Sequence, residues 1–211
     1  MKLFIYQHCP FCLRARMIFG LKNQAVETSI IMEGDTETPT RMIGKKMLPI
    51  LQKDDGTYMG ESMDIVHYVD SQTGLKIAND AVDPFIQKWA DDHAPIIFQL
   101  AIPRFTRAQF AELATPGARH AYVQRETLAF GDLNQLHSKT PELVKKLTPA
   151  LNTLDQWLAQ HHQINTNDFI LLPLLRSLSI VKDVNFKLNT LTYMQRVSAL
   201  AGVDLLFEQA M

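Results

Sequence analysis

The sequence is poor in cysteine, carries almost no net charge and contains no long apolar run. Its 21 Lys and Arg residues nearly balance its 22 Asp and Glu residues, which leaves a net charge of −1 at pH 7. Nucleic-acid-binding domains instead concentrate basic residues on one face. The longest apolar candidate, APIIFQLAIP (94–103), is shorter than the ~18 residues that a membrane helix needs. The run LFIY (3–6) is too short for a signal peptide. We therefore expect a globular protein of the cytoplasm, with neither nucleic acid nor a membrane as partner.

The only two cysteines lie close together, as Cys9 and Cys12 in the stretch IYQHCPFCLRARMIFG (5–20). The cytosol keeps thiols reduced, so a pair with this spacing is more often catalytic or metal-binding there than a structural disulfide. A structural zinc ion usually takes four ligands, but the chain has no second cysteine pair, and His161-His162 lacks the spacing of a zinc finger. The pair therefore favours redox chemistry without a metal. A structural disulfide or a pair of inert thiols is the less favoured alternative.

The first 72 residues alternate short strand-like and helix-like segments. Their predicted order is β-α-β-α-β-β-α, and a strand–helix–strand start implies a parallel pair with a right-handed crossover. Asp55-Gly56 between two β-prone runs is a strong hairpin signal. The predicted strands and helices are KLFIY (2–6), a helix at 10–22, ETSIIM (27–32), a short helix at 38–45, a hairpin at 49–60 and a helix at 61–72.

The remainder of the chain has the period of helices and no convincing alternating strand. We predict a linker at 73–81 and an all-helical domain at 82–211, beginning at the helix-start signal Asp83-Pro84. The segment FILLPLLRSLSIV (169–181) is apolar nearly all round, which indicates a central buried helix. One helical face carries Leu147, Leu151, Leu154 and Leu158, and Pro149 within that run predicts a kink or a split into two helices.

The junction between the first strand and the first helix makes the two sulfurs unequal. Cys9 lies at the helix start, where unpaired backbone N–H groups and the helix dipole stabilise a thiolate. Cysteines in such positions have pKa values of roughly 3.5–7.5, against about 8.5 for a free thiol. His8, Arg14 and Arg16 could add positive charge. Cys12 lies almost one turn further along, which predicts that Cys9 is the nucleophile and Cys12 the resolving thiol.

Motifs in both parts of the chain resemble a known family. HCPFCLRAR (8–16), MLPIL (47–51) and ESMDIVHYVD (61–70) resemble the glutaredoxin branch of the thioredoxin superfamily. With RMIGKKMLPILQKDD (41–55), the segments PRF (103–105), TPGAR (115–119) and PLLRSLSIV (173–181) resemble the bacterial two-domain glutaredoxins, which are built like glutathione S-transferases. The resemblance implies an N-terminal thioredoxin-like α/β domain at 1–72, followed by the all-α domain of a glutathione S-transferase-like architecture.

The resemblance also implies a glutathione site. Pro49 corresponds to the cis-proline that faces the active site, leaving the backbone of Leu48 to pair with the cysteinyl part of glutathione. Glu61 and Ser62 match the pair that holds the γ-glutamyl part, Ser62 on the carboxylate and Glu61 on the ammonium. From the residues alone, Pro49 would instead be a trans proline that starts a strand, and Glu61-Ser62 a plain helix cap.

The motif departs from the family pattern beside the cysteines. The resemblance implies that glutathione contacts Cys9, Pro10 and Phe11, and that Phe11 replaces the commoner tyrosine, so the ring can wall the site without a phenolic hydrogen bond. His8 stands close to where small glutaredoxins often carry a lysine. A charged His8 would raise the local potential, and the alternative is a half-exposed loop histidine. The acidic residue at a helix start that binds glutathione in small glutaredoxins is replaced in role by Glu61 or by Asp64.

The function implied is a glutathione-dependent thiol–disulfide oxidoreductase. Glutathione would be the co-substrate, no metal would take part, and the partners would be disulfide-containing or glutathionylated proteins. The resemblance implies a monomer. Three alternatives remain: a cysteine-type glutathione S-transferase, a protein like the chloride intracellular channels, and an adaptor that uses the fold only to bind partners. The helical half would form one wall of the glutathione site.

Overall fold

The computed structural model describes residues 1–211 and begins with a four-stranded sheet and three helices. The predicted order β-α-β-α-β-β-α is confirmed. Strand β1 pairs in parallel with β2 and antiparallel with β3, and β3 pairs antiparallel with β4, giving the order β2-β1-β3-β4. The strands are β1 (Lys2–Ile5), β2 (Glu27–Ile30), β3 (Ile50–Gln52) and β4 (Tyr58–Met59), and the helices are α1 (Pro10–Leu21), α2 (Glu37–Ile43) and α3 (Ser62–Asp70).

Most of these strands and helices end one or two residues earlier than predicted. The strand β1 ends at Ile5, where the chain turns toward Cys9. The N–H of Ile31, just after β2, still donates to the carbonyl oxygen of Ile5 at 3.2 Å. The hairpin turn forms as predicted: Asp55 Oδ1 accepts the backbone N–H of Thr57 at 2.9 Å, and Gly56 has a φ of 83°. Such a positive φ is readily adopted only by glycine.

The rest of the chain is helical. Residues 71–83 form neither helix nor strand, and α4 begins as predicted after Asp83, whose Oδ1 accepts the N–H of Phe85 at 2.8 Å. The division of the chain at residues 72 and 82 stays a prediction. The helices are α4 (Pro84–Phe105), α5 (Pro116–Phe130), α6 (Leu133–Ser138), α7 (Thr140–Leu158), α8 (Asp168–Leu178) and α9 (Leu188–Ala201), with short 3₁₀ turns at Ala111–Leu113 and Phe207–Gln209.

Two predictions about the helical half have different outcomes. Pro149 does not split its segment, because α7 continues from Thr140 to Leu158 and buries all four predicted leucines. The apolar segment at 169–181 is mostly the helix α8, which is buried along nearly its whole length, as predicted. No helix of the structure is both long enough and apolar enough to cross a membrane.

The helix α1 connects the two parts of the molecule. Its buried residues lie on every side of the helix, because it packs against α3 on one face and against α8 and α9 on the other. Arg14 Nε donates to the carbonyl oxygen of Phe169 at 2.9 Å. At Gly20 the helix passes so close to α9 that a Cβ would overlap the backbone carbonyl of Ala201. One hydrophobic core therefore extends through both parts.

Candidate active site

Cys9 lies immediately before α1, in extended conformation with φ −69° and ψ 123°. Its carbonyl accepts the N–H of Leu13 at 3.0 Å, so its side chain stands at the mouth of the helix. A hydrogen bond from the thiol of Cys12, the charge of His8 and the N–H groups of Cys12 and Phe11 outweigh burial and lower the pKa of Cys9 to about 6. The predominant form of Cys9 at neutral pH is therefore the thiolate.

Cys12 differs from Cys9 in exposure and in acidity. Its side chain is completely buried, whereas that of Cys9 is partly exposed, and neither cysteine is in a disulfide. Burial, together with the neighbouring Cys9, raises the pKa of Cys12. The backbone N–H of Tyr6 points at Cys12 Sγ from 3.4 Å. The inner thiol therefore keeps its proton while the outer one loses it.

His8 is not the half-exposed loop histidine that the sequence left open. Only 6% of the residue is exposed. Its Nδ1 lies 2.7 Å from Glu112 Oε1, and its backbone N–H donates to the same oxygen at 2.9 Å. Sequence reasoning missed Glu112, which lies 104 residues further along in a short 3₁₀ turn. No motif surrounds this glutamate, so the sequence carries no signal for it.

The structure brings Leu48 to Cys9. The Leu48–Pro49 peptide bond is cis, as the resemblance implies and contrary to the trans proline that the residues alone suggest. Leu48 and Cys9 line one cavity of about 260 Å³, and its remaining wall includes Lys46 and Arg125. Sequence reasoning singled out neither cation, although the pair KK (45–46) directly precedes MLP.

Glu61 and Ser62 stand at the start of α3. Ser62 is buried and is the first helical residue, so its N–H is among those without a partner inside the helix. The carboxylate of Glu61 caps nothing and instead meets Lys45 Nζ at 3.0 Å on the surface. The plain helix-cap interpretation is therefore wrong for the side chain of Glu61. Asp64, the alternative acidic residue, lies in the first turn of α3.

A larger cavity of about 910 Å³ lies between the two parts of the molecule. Pro10 and Phe11 from α1 and Met63 from α3 line it, together with residues of α4 and α8. Phe11 is 46% exposed, and the guanidinium of Arg14 lies 5.0 Å from the centre of its ring. Phe11 therefore lines this cavity, and its predicted contact with glutathione stays a prediction.

The chain matches two family models and a set of curated relatives. Residues 3–76 match the N-terminal domain of glutathione S-transferases, and residues 85–210 match the C-terminal domain of glutaredoxin 2. Glutaredoxin 2 of Escherichia coli strain K12 is 40% identical over 214 aligned residues that cover all of both chains. The chain belongs to the glutaredoxin 2 family. The resemblance found in the sequence motifs is thereby confirmed.

Solved structures agree with this assignment. The glutaredoxin 2 of Salmonella typhimurium, solved in complex with glutathione, superposes with a TM-score of 0.96 at 39% identity, over 100% of this chain and 98% of that one. A glutathione transferase of Phanerochaete chrysosporium superposes with a TM-score of 0.76 at 15% identity, over 96% and 98% of the two chains. The second likeness extends to the fold alone. The chain thus has the predicted glutathione S-transferase-like architecture.

Proposed function

We propose that this protein is a glutathione-dependent thiol–disulfide oxidoreductase in which Cys9 is the nucleophile and Cys12 the resolving thiol. The observation that carries the proposal is the opposite shift in acidity of the two cysteines: the partly exposed Cys9 has a pKa of about 6, and burial raises that of Cys12. Membership of the glutaredoxin 2 family and the glutathione complex of the Salmonella relative support glutathione as co-substrate.

The reaction starts with the thiolate of Cys9 attacking a disulfide. With a glutathionylated protein, a new S–S bond forms between Cys9 and glutathione, the old S–S bond breaks, and the protein leaves as a thiolate that takes a proton from water. A second glutathione thiolate then attacks the Cys9 mixed disulfide. This step forms oxidised glutathione and restores the Cys9 thiolate. One free glutathione thiol is therefore oxidised for each glutathionylated protein reduced, because the other half of the oxidised glutathione comes from the substrate.

Cys12 provides a second route, which serves protein disulfides. After Cys9 has bonded to one sulfur of the substrate, the thiol of Cys12 loses its proton and attacks Cys9, releasing the reduced protein and forming a Cys9–Cys12 disulfide. Two glutathione molecules reduce this disulfide in turn. A reduction potential of roughly −200 to −230 mV, typical of glutaredoxins, would let glutathione drive that step.

The residues around the sulfurs would hold glutathione in the orientation for this exchange. In this proposal the backbone of Leu48 pairs with the cysteinyl part, and Ser62 at the start of α3 receives the γ-glutamyl carboxylate. Glu61 takes the ammonium group, for which it must exchange its contact with Lys45. That contact is exposed on both sides, so the exchange is inexpensive. Pro10 and Phe11 form the adjoining wall.

We further propose that the protein acts as a monomer in the cytoplasm on disulfide-containing and glutathionylated proteins. The support is chemical: a Cys9 that is unpaired and partly exposed is suited to a compartment rich in reduced glutathione.

The decisive experiment combines two variants with mass spectrometry. Cys9→Ser should abolish reduction of a glutathione mixed disulfide, because the serine hydroxyl does not ionise at neutral pH. Cys12→Ser should retain that activity and, with oxidised glutathione, accumulate one glutathione on Cys9. Full activity of Cys9→Ser, or the absence of a glutathione adduct from Cys12→Ser, would exclude the mechanism.

A further inference from the structure

A polar contact between the two parts of the molecule lies directly beside the nucleophile. Both the ring Nδ1 and the backbone N–H of His8 point at one oxygen of Glu112, at 2.7 and 2.9 Å. His8 precedes Cys9 in the chain, whereas Glu112 belongs to the 3₁₀ turn after α4. The carboxylate thus reaches the active-site loop from the helical half.

The pair is shielded from water. Glu112 is completely buried, and the His8 ring is enclosed by aromatic side chains. Charges attract more strongly in such surroundings than in water, and a buried carboxylate without a compensating cation is costly. The rings around His8 are Tyr6, Phe105, Phe110 and Tyr122, at centroid distances of 5.6, 5.5, 5.7 and 4.8 Å.

The contacts with His8 offset much of the cost of burying the Glu112 carboxylate. Its second oxygen, Oε2, is buried without a hydrogen-bond partner, so His8 and the backbone contacts on Oε1 are what hold the carboxylate. Burial acts to raise the pKa of Glu112, but the hydrogen bonds and charge of His8 outweigh burial and lower it. Glu112 is therefore a carboxylate at neutral pH.

Other titratable groups face the pair from the elements around it. Burial raises the pKa of Tyr6, just after β1, and of Tyr122 on α5, so both phenols are neutral at physiological pH. Two arginines also attract the Glu112 carboxylate through their positive charge. Arg16 is on α1, and Arg176 is on α8, where its Nη1 donates to the carbonyl of Gln7 at 3.1 Å. Neither arginine is hydrogen-bonded to the carboxylate, which leaves His8 as its direct partner.

We propose that Glu112 is a positioning residue that holds the His8 ring next to Cys9, so that the helical half maintains the thiolate of the nucleophile. The carboxylate contacts both the ring and the backbone N–H of His8, at 2.7 and 2.9 Å. The inference rests on the proposed role of Cys9, and it assigns to the helical half an electrostatic part in the chemistry.

The test measures the alkylation of Cys9 by iodoacetamide as a function of pH, with the modified cysteine identified by peptide mass spectrometry. For Glu112→Gln we expect the midpoint to move to higher pH, lowering the rate at about pH 5 by roughly tenfold for each pH unit of movement. This readout needs neither glutathione nor turnover. It therefore separates a failure of this inference from a failure of the proposed reaction.

The matched control is Gln7→Ala. Gln7 Oε1 accepts the N–H of Ala111 at 2.8 Å, so this variant loosens the same contact between the same two segments without altering a charge. We expect its alkylation midpoint to stay at that of the unmodified protein. A shift in Gln7→Ala equal to that in Glu112→Gln would show a loosening of the loop and would overturn the inference.

Two further measurements decide the matter if Glu112→Gln folds poorly. His8→Gln should raise the midpoint as Glu112→Gln does, and in a double variant the two effects should not add, because both remove one interaction. Additive effects, or an unmoved or lowered midpoint in Glu112→Gln, would each overturn the inference.

Discussion

The two sides of Cys9 are assembled from parts of the chain at very different distances. On the side of α1, the groups that act on the sulfur are its immediate neighbours, the N–H groups of Phe11 and Cys12 and the Cys12 thiol. On the side of His8, the groups come from the helical half, as Glu112, Tyr122 and Arg125. The local side lowers the pKa of Cys9 through hydrogen bonds, and the distant side supplies the residues that surround its neighbour His8.

The largest expected effect comes from breaking the contact between the two halves. Gly20→Ala would place a Cβ on the backbone carbonyl of Ala201, so α1 and α9 would have to separate. We expect the free energy of unfolding to fall by about 3 kcal/mol or more, measured by denaturant unfolding.

Gly117→Ala is the control for this experiment. A Cβ at Gly117 would have open space in α5, so stability should be unchanged or rise by up to about 1 kcal/mol. Equal stability of Gly20→Ala and the unmodified protein would mean that the two halves are held together elsewhere.

The next effect tests the local side of Cys9 alone. Cys12→Ala removes the hydrogen bond that contributes most to lowering the pKa of Cys9. We expect the pH midpoint of Cys9 alkylation, about 6 in the unmodified protein, to rise in Cys12→Ala. Since the thiolate is present above the midpoint and lost as the pH falls through it, reactivity at about pH 5 should drop roughly tenfold for each pH unit of movement.

Cys12→Ser provides the comparison, because a hydroxyl can still donate to the Cys9 sulfur. We expect its midpoint to lie between those of the unmodified protein and Cys12→Ala. A midpoint in Cys12→Ala that does not move would assign the acidity of Cys9 to the helix start and the distant side.

A smaller effect tests the distant side. Arg125 Nη1 lies 2.8 Å from Glu33 Oε2, and the Glu33 side chain is only 1% exposed. Arg125→Gln leaves that carboxylate without its cation, and we expect the free energy of unfolding to fall by about 1–2 kcal/mol, since the exposure of Arg125 reduces the effect. Lys88→Gln, which breaks a fully exposed pair with Asp92, should leave unfolding unchanged. Equal changes in the free energy of unfolding for the two variants would contradict a larger contribution from the buried Glu33 pair.

The smallest effect concerns the edge of the proposed glutathione site. Lys45→Gln frees Glu61 from an exposed ion pair, so we expect KM for a glutathione mixed disulfide to change by less than about twofold. Glu61→Gln should raise KM more, because it removes the proposed partner of the ammonium group. A larger effect of Lys45→Gln than of Glu61→Gln would exchange the roles of these two residues.

The sequence predicts what local chemistry determines. The strand and helix order follows from hydrophobic period and turn residues, and the inequality of Cys9 and Cys12 follows from a helix start within the same motif. The sequence does not predict contacts between residues that are far apart along the chain. Glu112 carries no motif of its own, and burial of His8 results only when the 3₁₀ turn at Ala111–Leu113 folds against the active-site loop. Pro149 alone predicts a break in the helix. The helix α7 nevertheless continues through it, because the leucines on both sides of Pro149 are buried along one face.

The burial of α1 on every side limits how far the chain can be shortened. A helix covered by the sheet and α3 alone would present a polar face to water, as in a free-standing small domain. Here α8 and α9 cover the side of the helix that α3 leaves open. A fragment ending at Asp70 would therefore expose side chains that are buried in the whole protein. A minimal version of the protein would need a new polar surface on the helix that follows Cys9.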